Sequence, residues 1–291
     1  MAMRPTMRWL RYVNAALYVA QRLLNSSLSR GVGPASRRHE TLITPARFAF
    51  SIWRLIYALL SVAVIVDCFC PVLSVFSFID DPLRLLFTLT CVANMAWTLA
   101  FPHDYVHVAT AVLAVQWVAL ALLFAQIIAT RREYGFNVAR YVCSELGLVI
   151  YFAWSTAATL ISVAVSTQEI LGGFLPGAFY VALLSALTVA TICIVVFAGD
   201  IAFAVVAVWA LAAVALKDVP GLDDATQQVS LGVRAGATQS AAIITAFIAI
   251  AIARKTYKRF LRPKRQRHEL SERALPLLHE KTLSVDYGST V

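Results

Sequence analysis

Charge is what this chain has least of. Only 14% of its 291 residues are charged, where an ordinary soluble domain carries about 25%. Acids are scarcer than bases, 16 against 25, and none precedes Glu40. With 60% hydrophobic residues and a mean hydropathy of +0.73, a water-soluble fold would have almost no polar surface to show. The composition excludes an ordinary soluble domain and indicates a polytopic membrane protein. The net charge of +9 lies mostly at the two ends. That placement suits anionic lipid headgroups and membrane orientation; there is no nucleic-acid-binding module, so no nucleic-acid partner is expected. Catalytic signatures are also missing: no nucleophile elbow, phosphate loop, HExxH or intramembrane carboxylate pair. No enzyme activity and no cofactor are therefore expected. The five cysteines have no zinc-type spacing, Cys68 and Cys70 being only two apart, and read as small apolar fillers with free thiols.

What the chain has is long apolar runs. Spans of membrane length, about 20 residues each, read as Ala49–Phe69, Leu83–Phe101, Val106–Ala129, Val142–Val165, Phe174–Ala198, Ile201–Leu216 and Ala235–Ala253. Gly199-Asp200 divides the penultimate stretch, a flexible residue followed by a charge expected to seek water. The connections are short and polar, as at Asp80-Asp81-Pro82, Pro102-His103-Asp104 and Arg131-Arg132-Glu133. The N-terminal region is helical by pattern, with Arg4, Arg8, Arg11 and Arg22 on one arc and Leu10, Val13, Leu17, Ala20, Leu24 and Leu28 opposite. Three readings fit it: a transit peptide, an interfacial anchor, or a first transmembrane helix with snorkelling arginines. The fold class expected is all-α, a polytopic membrane helix bundle of about eight transmembrane helices. The basic tail begins at Arg254-Lys255 and ends in a polar stretch expected to be disordered and to meet anionic lipids. Eight spans place both termini on one side, the cytoplasmic one by the distribution of arginine and lysine; a mitochondrial membrane is compatible with the basic N-terminus.

Some residues stand out against this background. Arg54 is a charge about one turn inside an apolar helix, so it either snorkels to the interface or pairs with an acid, Glu145 being the candidate. Asp67 lies too far along the same helix to serve. His103 and His107, four apart, have a spacing that permits metal ligation, although loop and interfacial histidines are the commoner case. Trp97, Trp117 and Trp154 lie deep in their spans. Facing inward they would line an apolar cavity for a flat hydrophobic ligand; facing one another or lipid they would be packing.

Four segments, in order, resemble the TspO/MBR group, the translocator and tryptophan-rich sensory proteins, and particularly its longer branch. They are Val13-Asn14 to Asn25-Ser26; Thr44-Pro45-Ala46-Arg47-Phe48-Ala49-Phe50-Ser51-Ile52-Trp53-Arg54-Leu55-Ile56-Tyr57; Asn94-Met95-Ala96-Trp97 with Phe101; and Tyr151-Phe152-Ala153-Trp154 with Ala158-Thr159. The resemblance favours a retained first helix. It implies a basic segment 1–9, a five-helix bundle over 10–166, three additional helices over 174–254 and a tail over 255–291. It also implies a tetrapyrrole (porphyrin or haem) or sterol-like ligand in an aromatic cavity opening toward the first loop, lined by Phe50, Trp53, Tyr57, Asn94, Trp97, Tyr151 and Trp154, and is compatible with a homodimer. Asn94 would bond a polar ligand edge or a neighbouring helix. The chain departs from the branch at Arg54, where a small residue is usual, and at Phe48, where a tryptophan is. A small secondary transporter or channel, or an accessory membrane subunit, are the rival functions.

Overall fold

The computed structural model describes residues 9–78 and 81–257. Most of the basic segment 1–9 and the tail from 258 onward lie outside the described residues. Eight helices account for nearly all of what is described: α1 (Leu10–Arg38), α2 (Ile52–Phe69), α3 (Asp81–Ala100), α4 (Val106–Tyr134), α5 (Val138–Leu171), α6 (Gly177–Ala198), α7 (Ile201–Ala215) and α8 (Asp224–Thr256). Six of them, α2 to α6 and α8, are long and apolar enough to cross a membrane, α2 together with the turn that precedes it. The other two expected spans differ: α7 has only 15 residues, and α1 carries too much polarity along its 29. The chain forms two compact units, 1–245 and 246–291; of the second, the described part is the end of α8.

Local chemistry sets the helix ends. Pro71 follows the C-cap of α2, where a residue without an N–H cannot continue a helix. Asn137 caps α5, its side chain accepting from the Arg140 N–H. Between α6 and α7 the chain turns through Gly199 at φ +67°, a left-handed conformation that costs glycine nothing. Asp200 then caps α7, accepting from the N–H groups of Ala202 and Phe203 at 3.0 and 3.4 Å.

The first five helices close a ring. α1 packs on α2 and α3, α3 on α4, α4 on α5, and α5 on α2. α7 lies against α5 and against the 3-10 turn Arg47–Ser51 that precedes α2; α6 packs on α5 and α7. Where α2 meets α5 the backbones touch: a Cβ on Gly147 would sit 3.0 Å from the Leu59 carbonyl carbon and 3.1 Å from the Leu60 nitrogen. A side chain there would have to push the α2 backbone back by a few tenths of an ångström, so glycine suits this approach.

α1 turns a largely polar line toward the bundle. Its buried line is Leu10, Asn14, Tyr18, Gln21 and Asn25, spaced four, four, three and four, while Ala20 is exposed and Leu17, Leu24 and Leu28 are half-buried. Leu10 apart, this line is of polar groups, which face the bundle because α2 and α3 offer them partners. Asn14 donates to the Arg84 carbonyl and accepts from Thr88, Tyr18 reaches the Tyr57 carbonyl and Ser61, and Gln21 and Asn25 both donate to Asn94 Oδ1 at 2.9 and 2.8 Å. Interhelical hydrogen bonds of this kind join helices where lipid removes the hydrophobic driving force.

Candidate functional site

Buried charge gathers at one end of the bundle and the cavity at the other. At the charged end, Arg84 of α3 donates to both Asp67 oxygens at 2.9 and 3.1 Å, and also to the Phe76 carbonyl, while Ser74 donates to Asp67 at 2.6 Å. A larger network joins α4, α5 and α7. Glu145 accepts from Arg131 Nε at 2.6 Å and Arg140 Nε at 2.8 Å, and Arg131 Nη1 reaches Asp200 at 3.0 Å. Two guanidiniums balance two carboxylates whose side chains are each 1% exposed. This corrects two expectations. Glu145 is engaged by Arg131 and Arg140, not by Arg54, which lies exposed toward the opposite end. Asp200 is a buried partner that docks α7 on the bundle, not a charge seeking water.

The cavity is built where α1 ends and α2 begins. Pro45 and the turn Arg47–Ser51 bring Phe50 inward, and α2 then presents Trp53, Arg54 and Tyr57. An inner chamber of about 70 Å³ is lined by Phe50, Trp53, Asn94, Trp97 and Trp154, with His39 and Phe101 among its other walls. It shares lining residues with a larger cleft of about 1000 Å³ that reaches Tyr57 and Arg54. The rings pair off around it. Trp53 stacks on Tyr57 with centroids 5.2 Å apart, Phe50 meets Trp154 edge-on at 5.9 Å, and Trp97 stacks on Phe101 at 5.2 Å.

The remaining expected residues divide. Tyr151 is fully buried behind the lining, its ring edge-on to Trp53 at 5.9 Å, so it supports the wall. Asn94 lines the cavity, but its Oδ1 is occupied by Gln21 and Asn25, so its carbonyl acts between helices. Trp117 points away, its Nε1 donating to Thr156 Oγ1 at 3.0 Å. His103 Nδ1 meets the Leu99 carbonyl and His107 Nδ1 meets Ser166; among the described residues no group of three His, Cys, Asp or Glu could hold a metal ion.

Sequence reasoning missed how the cavity's rim is fastened. Asp104, in the left-handed region at φ +64°, accepts from Arg38 at 2.7 Å and lies 2.8 Å from His39 Nε2. Hydrogen bonds from Arg38 first, and His39 second, hold its carboxyl below the ordinary carboxylate range. Gln168 of α5 donates to the Glu40 carbonyl, and Lys217 pairs with the Glu40 carboxylate at 2.6 Å. α7 adds a second fastening: the Ala46 N–H donates to the Ala213 carbonyl, Trp209 Nε1 donates to the Ala49 carbonyl, and Phe48 packs edge-on to Trp209 at 5.1 Å. Phe48, the departure noted in the sequence, is therefore an α7 contact. The one sequence signal for this rim was its mix of polar residues beside Pro45.

A ring of five helices, an aromatic cavity at the first loop and a clamp from α7 describe a particular kind of membrane protein. No curated protein and no solved structure matches the chain. A family model described as TSPO-like protein matches residues 15–254, a range that takes in α2 to α7 whole and most of α1 and α8. The chain is thus an integral membrane protein of the TspO type and belongs to the TSPO-like family.

Proposed function

We propose that this protein binds a flat, apolar ligand of tetrapyrrole or sterol-like shape in the aromatic cavity, and handles it in the membrane for transport or sensing. The observation that carries the reading is convergence: Phe50 from the turn before α2, Trp53 from α2, Trp97 from α3 and Trp154 from α5 border a single chamber. Residues from four separate segments meet there although nothing in local helix packing requires it. The adjoining cleft of about 1000 Å³ is at the upper end of ligand-site volumes, about 300–1,000 Å³. Aromatic faces gain about 0.5–1.5 kcal/mol per ring pair beyond area burial, which favours a planar ligand over a flexible one.

The test is tryptophan fluorescence of the purified chain in lipid nanodiscs titrated with a porphyrin and, in parallel, with a fluorescent sterol. Saturable quenching or energy transfer at micromolar ligand is expected. Trp97→Phe and Trp154→Phe should each weaken binding several-fold, while Trp117→Phe, outside the cavity, leaves it unchanged. Absence of saturable signal for both ligands refutes the reading.

A further inference from the structure

The cleft outside the inner chamber is lined by five cations, Arg22, Arg37, Arg47, Arg54 and Lys217, and by one acid, Glu40. Lys217 and Glu40 neutralise each other at 2.6 Å. The four arginines have no carboxylate partner among the described residues, whereas Arg84, Arg131 and Arg140 in the bundle interior each hold one. Arg22 is further positioned by its guanidinium lying over the Tyr57 ring, 4.2 Å from the centroid, a cation–π contact. Arg54 stands one turn before Tyr57 on α2 and lines the same cleft. A concave surface with apolar walls and uncompensated charge of one sign focuses its field into the cleft, and guanidinium forks match the geometry of carboxylate and phosphate.

Resting on the reading above, we propose that the cleft selects an apolar ligand that carries an anionic group, carboxylate or phosphate, and that Arg22, Arg47 and Arg54 are the residues that select it. The apolar body lies in the cleft against the aromatic wall it shares with the chamber, Phe50, Trp53 and Trp97, and the anionic group sits among the arginines. A neutral sterol leaves these charges unanswered and binds more weakly. Two sources supply the same chemistry: a free amphiphilic acid, or a lipid whose anionic headgroup enters the cleft.

The experiment compares protoporphyrin with its dimethyl ester, which keeps the ring and removes the charge. Tryptophan quenching is measured for the full chain in phosphatidylcholine nanodiscs. The diacid is expected to bind about tenfold more tightly, as one or two charge-assisted hydrogen bonds allow. The preference should fall below about threefold in Arg47→Gln/Arg54→Gln, and shrink as salt is raised because exposed charges are screened. These positions are exposed, so the helical circular dichroism of the variant should match the parent. Adding phosphatidylglycerol to the nanodiscs separates the sources: weakened diacid binding in the parent, absent in the variant, assigns the site to a lipid headgroup, and no change assigns it to a free acid. Equal affinity for diacid and ester in the parent, or a preference that survives in the variant, overturns the proposal. If neither porphyrin quenches, the planar-ligand reading fails; phosphatidylglycerol co-purifying equally with parent and variant would then overturn the anion site too, and loss of it in the variant would uphold that site.

Discussion

Replacing Glu145 by glutamine should be among the most damaging single changes this fold can suffer. The side chain is 1% exposed and accepts from Arg131 at 2.6 Å and Arg140 at 2.8 Å. Its removal leaves two guanidiniums facing one carboxylate, Asp200, and so strands one positive charge in the interior. Two charge-assisted hydrogen bonds at about 1.5–3 kcal/mol each give about 3–6 kcal/mol. Breaking a buried pair by removing one partner costs about 3–5 kcal/mol, so the two routes agree. The assay is reversible unfolding in mixed micelles at increasing SDS, followed by tryptophan fluorescence. Glu145→Gln should lower stability by about 3–5 kcal/mol. Arg140→Gln/Glu145→Gln restores neutrality, so its loss should fall short of the sum of the singles by about 1–3 kcal/mol. The exposed pair Arg234–Asp218, its acid 73% exposed, serves as the comparison and should cost under about 1 kcal/mol. If Glu145→Gln costs no more than that pair, or the double variant is additive, the network is not the joint between α4, α5 and α7 described above.

Three further outcomes are expected. Gly147→Ala places a methyl about 3 Å from the Leu59–Leu60 backbone and should destabilise by about 1–3 kcal/mol through overpacking, read by the same unfolding assay. Asn94→Leu removes the acceptor shared by Gln21 and Asn25; Asn25 keeps its bond to Tyr57, so the change should cost about 1–3 kcal/mol for the stranded Gln21 amide, and hydrogen exchange should rise first in α1. The Asp104 carboxyl is held below its ordinary range by Arg38 and His39, so its contribution is present above about pH 4, the unfolded value, and is lost as pH falls through the lower folded value. Protection factors of residues 39–46, taken relative to the intrinsic exchange rate at each pH, should therefore fall on acidification in the parent, and Asp104→Asn should flatten that dependence.

The helical membrane architecture was legible because it depends on sums along the chain. Apolar runs of about 20 residues between short polar connections can only be helices in lipid, since every backbone group must bond within its own segment. The aromatic lining was legible through pattern: Phe50, Trp53, Trp97 and Trp154 could be singled out by their place in the four segments, and the structure puts them around one chamber. Tyr151 could not be told from a lining residue, because a ring one layer back has the same helical spacing as one that faces the void. The inward face of α1 could not be read from the sequence for a similar reason. Hydrophobicity selects Leu17 and Leu24, but Asn14, Gln21 and Asn25 face inward because Thr88, Asn94 and Thr98 of α3 wait to receive them.

By itself, then, the sequence determined a basic, acid-poor, all-helical membrane chain with its aromatic residues concentrated at a few helical positions. Only the tertiary structure decided which charges meet. Arg131 finds Asp200 across 69 residues, Gln168 finds the Glu40 carbonyl across 128, and Trp209 finds the Ala49 carbonyl across 160. An arginine in an apolar run announces that it needs a partner, but periodicity carries no record of which distant acid supplies it. That choice left Glu145 to Arg131 and Arg140, and left Arg54 facing the cleft.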